Sequence, residues 1–287
     1  MNPIAKRLEF YGALITGHGE ISPPEHDYYV YRQTVNGLES YLGDLHHKRI
    51  LDVGCGWDAT QTVLLTAAGF DTTGVDLKYL GFNVSTFKRY QNSLRINGPA
   101  LTLMLAYNNL GRKRHYMNLQ RKSGLPVLDV VRSGKVDVRC MDTTQTAFPS
   151  NYFDAIISNA VLEHVRDLDA LLLELARITK PGGVQMHGIH LFPSPSGGHH
   201  PLWRQESFDH WDHLIGKKHF VPADLNGYRL SDYYALFDAR YNIISTQLIN
   251  ETKCDKWLTP SIREALASYT EEDLTTRGVK FIVRKRR

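Results

Sequence analysis

What the chain lacks narrows it first. No apolar run comes near the roughly 18 residues needed to cross a bilayer, and the N-terminus shows no basic-then-apolar secretion pattern. Cysteine is scarce: Cys55, Cys140 and Cys254 are odd in number, scattered, and without a Cys-x-x-Cys pair, which excludes a disulfide framework. The expectation is a cytoplasmic protein with reduced thiols and no transmembrane segment. Disorder on a large scale is excluded too, because 42% of the 287 residues are apolar and only 22% are charged, enough for one sizeable core. Acids are nearly missing from one stretch. Between Val84 and Val136 stand ten basic residues (Lys88, Arg89, Arg95, Arg112, Lys113, Arg114, Arg121, Lys122, Arg132, Lys135) against Asp129 alone, so a basic face sits on a slightly acidic body.

What is present centres on Arg49-Ile50-Leu51-Asp52-Val53-Gly54-Cys55-Gly56-Trp57-Asp58. An apolar strand ends in an acid, turns through Gly-x-Gly and enters a helical pattern at Asp58–Ala68. Such a turn exposes backbone N–H groups, and its glycines let a ligand approach the main chain. Asp58 reads as the helix N-cap. A second strand, Asp71–Asp76, also ends in an acid, and Asp76 lies 22 residues after Gly54, the spacing at which an acid meets ribose hydroxyls.

The rhythm of strand, helix and strand runs on through strands at Val136–Cys140, Phe153–Ser158 and Val184–Leu191. A helix at Leu168–Thr179 is capped by Asp167 and stopped by Lys180-Pro181-Gly182-Gly183. Later come a helix at Arg229–Ala239, a strand at Tyr241–Ile249, a helix at Ile262–Ser268 and a strand at Val279–Arg284. The pattern predicts an α/β fold: a doubly wound seven-stranded sheet, mostly parallel, with an antiparallel last strand and a helical insertion after strand two. The organisation expected is an N-terminal helical cap over 1–47 and a main domain over 48–287. Within the latter lie the basic insertion (84–135, two helical patterns at Ser85–Ile96 and Leu101–Leu119) and a His- and aromatic-rich substrate loop (192–227). The cap reads either as a helix over the sheet or as a lid bringing Tyr31 or Arg32 to a ligand. The insertion interleaves bases with Tyr90, Tyr107 and Tyr116, which suits phosphate or nucleic acid, or simply a solvated face.

Taken in order, Leu51-Asp52-Val53-Gly54-Cys55-Gly56, Gly74-Val75-Asp76, Asp142, Phe153–Val165 with Asn159-Ala160-Val161-Leu162-Glu163-His164-Val165, and Lys180-Pro181-Gly182-Gly183 resemble the class I S-adenosylmethionine-dependent methyltransferases. The match spans residues 49–191. It is similar in kind to small-molecule and saccharide methyltransferases of surface-polysaccharide pathways. The resemblance implies S-adenosyl-L-methionine as cofactor, with Gly54 and Gly56 giving backbone approach, Asp52 binding the amino group and Asp76 the ribose. Asp142 would take the adenine amine, and Asn159 would help form the pocket floor. One departure is Asp58, where the family often has a third glycine. Gly54-x-Gly56-x-x-Ala59 also fits a nicotinamide-binding turn, but the acid before it, Asp52, would repel a pyrophosphate.

Seven of the thirteen histidines fall between His187 and His219. His199 and His200 are candidate catalytic bases for a hydroxyl acceptor, with His164 and His190 behind them. Trp203, Phe208 and Trp211 can stack on a sugar or pack the loop onto the domain. The other reading of the histidines is a metal, held by His210-x-x-His213 with Asp209 and Asp212; His187 and His190 would face opposite sides of a strand. No resident metal is assigned. The expected activity is O-methylation of a small molecule such as a sugar or saccharide precursor. The alternatives are nucleic-acid methylation, or a non-catalytic protein that binds the cofactor.

Overall fold

The computed structural model describes residues 23–199, 203, 208, 210–216, 225–251 and 254–286. Among them seven strands form one sheet: β1 (Arg49–Val53), β2 (Asp71–Asp76), β3 (Asp137–Cys140), β4 (Phe153–Asn159), β5 (Thr179–His190), β6 (Tyr241–Asn250) and β7 (Thr276–Lys285). Their order is β3-β2-β1-β4-β5-β7-β6. The first five strands pair in parallel, and β7 lies antiparallel to both β5 and β6, as the sequence pattern predicts.

Side chains alternate across this sheet, so each strand feeds two cores. Leu51 and Val53 of β1 and Ile156 of β4 face one side. There they meet Leu168, Leu171, Leu172, Leu175 and Ile178 of α5 (Leu168–Ile178), and Leu230, Tyr233 and Phe237 of α7 (Leu230–Asp238). Ile50, Ala155 and Ile157 face the other, against α1 (Pro24–Leu42), α2 (Thr60–Ala67), the C-terminal part of α3 (Thr86–Ser123) and α4 (Val127–Arg132). Buried apolar residues three and four apart give α5 its single buried face, and Asp167 caps it by accepting the Ala170 N–H at 2.9 Å.

Several expectations are revised in detail. The cap's helix begins at Pro24, since a proline at N1 lacks only an N–H that the helix leaves unpaired anyway. Tyr31 lies in the core beside Val35 and Leu38, while Arg32 is exposed. α1 is thus a cover for the sheet as far as Tyr31 is concerned. Lys180-Pro181-Gly182-Gly183 does not precede the fifth strand but lies inside it, where the pairing with β4 shifts register between Phe153 and Ala155.

The insertion is two helical stretches, as read from the sequence, joined at a sharp bend. Gly98 adopts φ +78°, ψ 175° and Pro99 follows. Its C-terminal half is fastened to the glycine turn. Arg112 reaches Asp58 Oδ1 at 3.2 Å and the Trp57 carbonyl, and the Tyr116 hydroxyl donates to the Asp58 carbonyl at 2.6 Å. His115 Nε2 lies 3.2 Å from Thr60 Oγ1 and 3.5 Å from Asp27 Oδ2, so α1, α2 and α3 meet at one polar junction. Asp58 therefore does not cap α2. Ala59 occupies the N-cap in the left-handed region, and the Asp58 carboxylate serves the insertion instead. The outer face of α3 mixes exposed Phe87, Leu103, Tyr107 and Leu110 with its bases.

Arg112→Ala removes both charged contacts to the turn, and charged hydrogen bonds contribute about 1.5–3 kcal/mol each. The expected result is a loss of stability of about 2–3 kcal/mol in urea unfolding. Limited proteolysis should cut first within residues 86–123.

Candidate active site

The carboxyl ends of β1, β2, β3 and β4 are brought side by side by register: Val53 pairs with Val75 and with Ser158, and Asp76 pairs with Cys140. Gly54 and Asn159, next after Val53 and Ser158, and Asp142, two residues beyond Cys140, continue to the same edge. This is the crevice at which open parallel sheets hold ligands.

Gly54 and Gly56 both lie at positive φ, +65° and +71°. Their surroundings differ. A Cβ on Gly54 would lie 2.4 Å from Val161 Cγ2, so that glycine allows the turn to pack on the chain after β4. A Cβ on Gly56 would meet nothing within 4 Å among the described residues, so its main chain faces open space. The Gly56 N–H donates to Asp76 Oδ2 at 3.1 Å, and the Lys78 N–H donates to Asp76 Oδ1 at 2.9 Å. Asp76 thus fixes the turn from the neighbouring strand while remaining partly accessible.

Asp52 is placed differently from an open ligand contact. It is 3% exposed, and its Oδ2 accepts the Thr62 N–H at 3.1 Å and the Thr62 hydroxyl at 2.7 Å. It binds the first turn of α2 to the end of β1, where helix N–H groups would otherwise be unpaired. Burial pushes its pKa up to about 7; the Thr62 bonds oppose the shift and nearby Asp76 adds to it. Asp142 is exposed, its Oδ1 accepting from the Thr144 N–H and hydroxyl at 2.9 and 2.8 Å in a tight turn after β3. Asn159 is exposed at the end of β4 beside Gly188, where a Cβ would come within 3.0 Å of its Oδ1.

Beyond Asn159 the chain makes a short 3-10 turn, Leu162–His164. His164 sits edge-on to His199, ring centroids 5.0 Å apart, and His190 meets the same His199 ring at 5.5 Å. Three histidines named from sequence are thereby gathered at one place, next to the glycine turn through Val161. His200 lies outside the described residues, as does Asp209. Glu163 was not singled out by sequence reasoning, although its position directly before His164 was the available signal. Its side chain is buried, Oε1 accepts the His190 N–H at 3.3 Å, and desolvation raises its pKa to about 7.

The remaining histidines are engaged elsewhere. His187 is fully buried, Nδ1 2.8 Å from Ser158 Oγ and Nε2 2.9 Å from Gln185 Oε1, and burial lowers its pKa to about 3. It is a neutral core group. His210 and His213 do not share a helical face: α6 (Asp212–Ile215) starts between them. His210 Nε2 meets the Trp203 carbonyl at 2.9 Å and its ring stacks on Trp257, whereas His213 Nε2 meets the Phe192 carbonyl at 2.7 Å. Among the described residues that pairing gathers no set of metal donors. Trp211 is also withdrawn from solvent, in a small cluster with Leu258, Leu266 and Leu274.

A family model described as "Methyltransferase domain" matches residues 25–226. A ubiquinone biosynthesis O-methyltransferase of Rhodopseudomonas palustris (strain BisB18) is 41% identical over 51 residues, 18% of this chain and 20% of that protein. The chain therefore aligns with only about a fifth of that relative's length. Among solved structures, geranyl diphosphate C-methyltransferase from Streptomyces coelicolor A3(2) is similar at 15% identity. That match covers 90% of this chain and 80% of the other, with a TM-score of 0.48. Phosphoethanolamine N-methyltransferase 2 of Haemonchus contortus is similar at 17% identity, with 89% and 53% covered and a TM-score of 0.47.

The buried Asp52 gives a signed pH dependence. The native state holds a proton on this group between about pH 4 and 7 that the unfolded chain has lost, so its contribution to stability falls as pH rises through that window. Asp52→Asn should flatten the decline in melting temperature between pH 5 and pH 8 relative to the wild type, as read by circular dichroism.

Proposed function

The chain belongs to the methyltransferase-domain family and is an S-adenosylmethionine-dependent methyltransferase, and on that footing we propose that its acceptor is a hydroxyl of a small molecule, a sugar or saccharide precursor being the class to test first. One observation carries the cofactor assignment: Gly56 presents open main chain at the same sheet edge as Asp76, Asp142 and Asn159. A left-handed glycine without a neighbour at its Cβ position is a cradle that any side chain would fill, so the residues present fit the cofactor. When bound, that group supplies a methyl on a positively charged sulfur.

In this reading the Asp76 carboxylate takes the ribose hydroxyls and Asp142 the adenine amine. Gly54 and Gly56 admit the amino-acid end, and Asn159 stands at the floor. Asp52 acts behind the turn, setting its shape and adding negative potential beneath the ammonium group. The two partly buried rings His164 and His199, close to the turn through Val161, are suited to accept the proton that a hydroxyl must lose. His200 keeps the same proposed role from sequence. The partial similarity to an O-methyltransferase supports oxygen as the acceptor atom.

Nucleic acid is a poorer acceptor. Arg112, the base nearest the turn, is committed to Asp58 and Trp57, and Arg89 bonds the Gly81 carbonyl at 2.7 Å. Exposed Leu103 and Leu110 interrupt the remaining bases, whereas a phosphate backbone is met by continuous positive charge.

Two measurements test this reading. Isothermal calorimetry should show binding of S-adenosylmethionine or its demethylated product, weakened at least tenfold (about 1.4 kcal/mol) by Asp76→Ala; unchanged affinity would remove Asp76 from the cofactor site. Tritiated methyl transfer across a panel of sugars, sugar nucleotides, phenols and RNA should label hydroxyl oxygen of a small molecule. Label on RNA, or cofactor binding with no turnover on any acceptor, would overturn it.

A further inference from the structure

Glu163 and His164 end the short turn after β4, and His199 lies on the loop after β5, yet one donor atom from each falls within 4.8 Å of the others. Donors bonded to one tetrahedral ion at about 2.1 Å each stand about 3.4 Å apart, so closing on an ion takes shifts of about an ångström, which two partly exposed rings can make. Glu163 is only 2% exposed. Its Oε1 receives the His190 N–H, but its Oε2 is buried with no hydrogen-bond partner among the described residues. A buried carboxylate oxygen without a donor is costly unless a cation meets it.

We propose that Glu163, His164 and His199 bind a first-row divalent transition-metal ion, leaving coordination positions open for the oxygen of the acceptor. Two imidazole nitrogens and one carboxylate suit zinc, manganese or iron(II), and are a poor set for calcium or magnesium, which take oxygen ligands. The His190 backbone N–H, donating to Glu163 Oε1 at 3.3 Å, holds the carboxylate from behind, as partners of metal ligands do. The position is also right for the chemistry. Val161, two residues before Glu163, packs against Gly54, so the ion would sit along the same edge as the cofactor turn.

The inference rests on the hydroxyl-acceptor reading and deepens it: the acceptor stays a hydroxyl, and ligation of an ion by His164 and His199 replaces direct uptake of its proton by those rings. An acceptor hydroxyl coordinated to the ion loses its proton at lower pH than in water. Its O–H bond breaks, the electron pair stays on oxygen and the proton passes to water. That oxygen pair then forms the C–O bond to the methyl, while the C–S pair returns to sulfur.

The experiment uses the full chain without a histidine tag, stripped with EDTA and titrated with manganese(II) and zinc(II) by calorimetry, with metal content read by mass spectrometry. One ion per chain is expected, with a rise in melting temperature. Glu163→Gln and His199→Gln should each weaken binding at least tenfold, while affinity for S-adenosylhomocysteine, measured without metal, stays within threefold of the wild type. His199 lies on a loop, so its variant reports even if Glu163→Gln fails to fold. No ion retained by the folded wild type, or wild-type affinity in His199→Gln, overturns the inference. Cofactor binding without ion binding sinks the metal site and leaves the methyltransferase standing. Ion binding with no methylated hydroxyl sinks the acceptor reading alone.

Discussion

Two carboxylates at neighbouring strand ends hold backbone amides, and the architecture of the active edge depends on them. Asp52 receives the Thr62 N–H and so joins β1 to α2, while Asp76 receives the Gly56 N–H and so joins the turn to β2. The two left-handed glycines of the turn bring no side chains to hold their own main chain. Without these acceptors its amide groups would be free to reorient, and the main-chain face offered by Gly56 would lose its definition. The cost is a carboxylate deep in the protein, visible in the upward displacement of the Asp52 pKa.

Around that turn the rest of the molecule is arranged as successive supports. Val161 fills the space against Gly54 and carries the Glu163-His164 turn with it. Arg112 and Tyr116 bind the far side through Asp58 and Trp57, which converts a long insertion into a brace for the ligand edge. The departure at Asp58 from the third glycine of related turns thus has a physical account. A side chain there provides the anchor to which the insertion is attached.

The mostly parallel sheet and its antiparallel last strand were legible because strand and helix patterns alternate along the chain as far as β5, and the last two strands are joined by a long excursion. That Gly54, Gly56, Asp76, Asp142 and Asn159 share one edge of the sheet was legible through the family resemblance, which sets them at or just after strand ends that parallel register brings together. The histidine grouping was half legible. Composition concentrated attention on residues 187–219, but it gave no means of separating His187, bound inside the core, from His190 and His199, which gather beside Glu163. Burial and partner identity make that distinction, and neither is encoded in local spacing. The pairing of His210 with His213 failed for the same reason, since the helix implied by their spacing begins only at Asp212.

The small cluster around Trp211 links segments distant in the chain. Leu258, Leu266 and Leu274 all come from the excursion between β6 and β7, so the indole is clasped by residues that follow it by more than forty positions. The loop that carries Trp211 also carries His199, and β7 at the end of the excursion lies against β5, from which that loop departs. Substitutions in the excursion that loosen this cluster would therefore be felt by the loop that carries His199. Residues 254–275 are thus a clasp that stands far in sequence from the segment it holds.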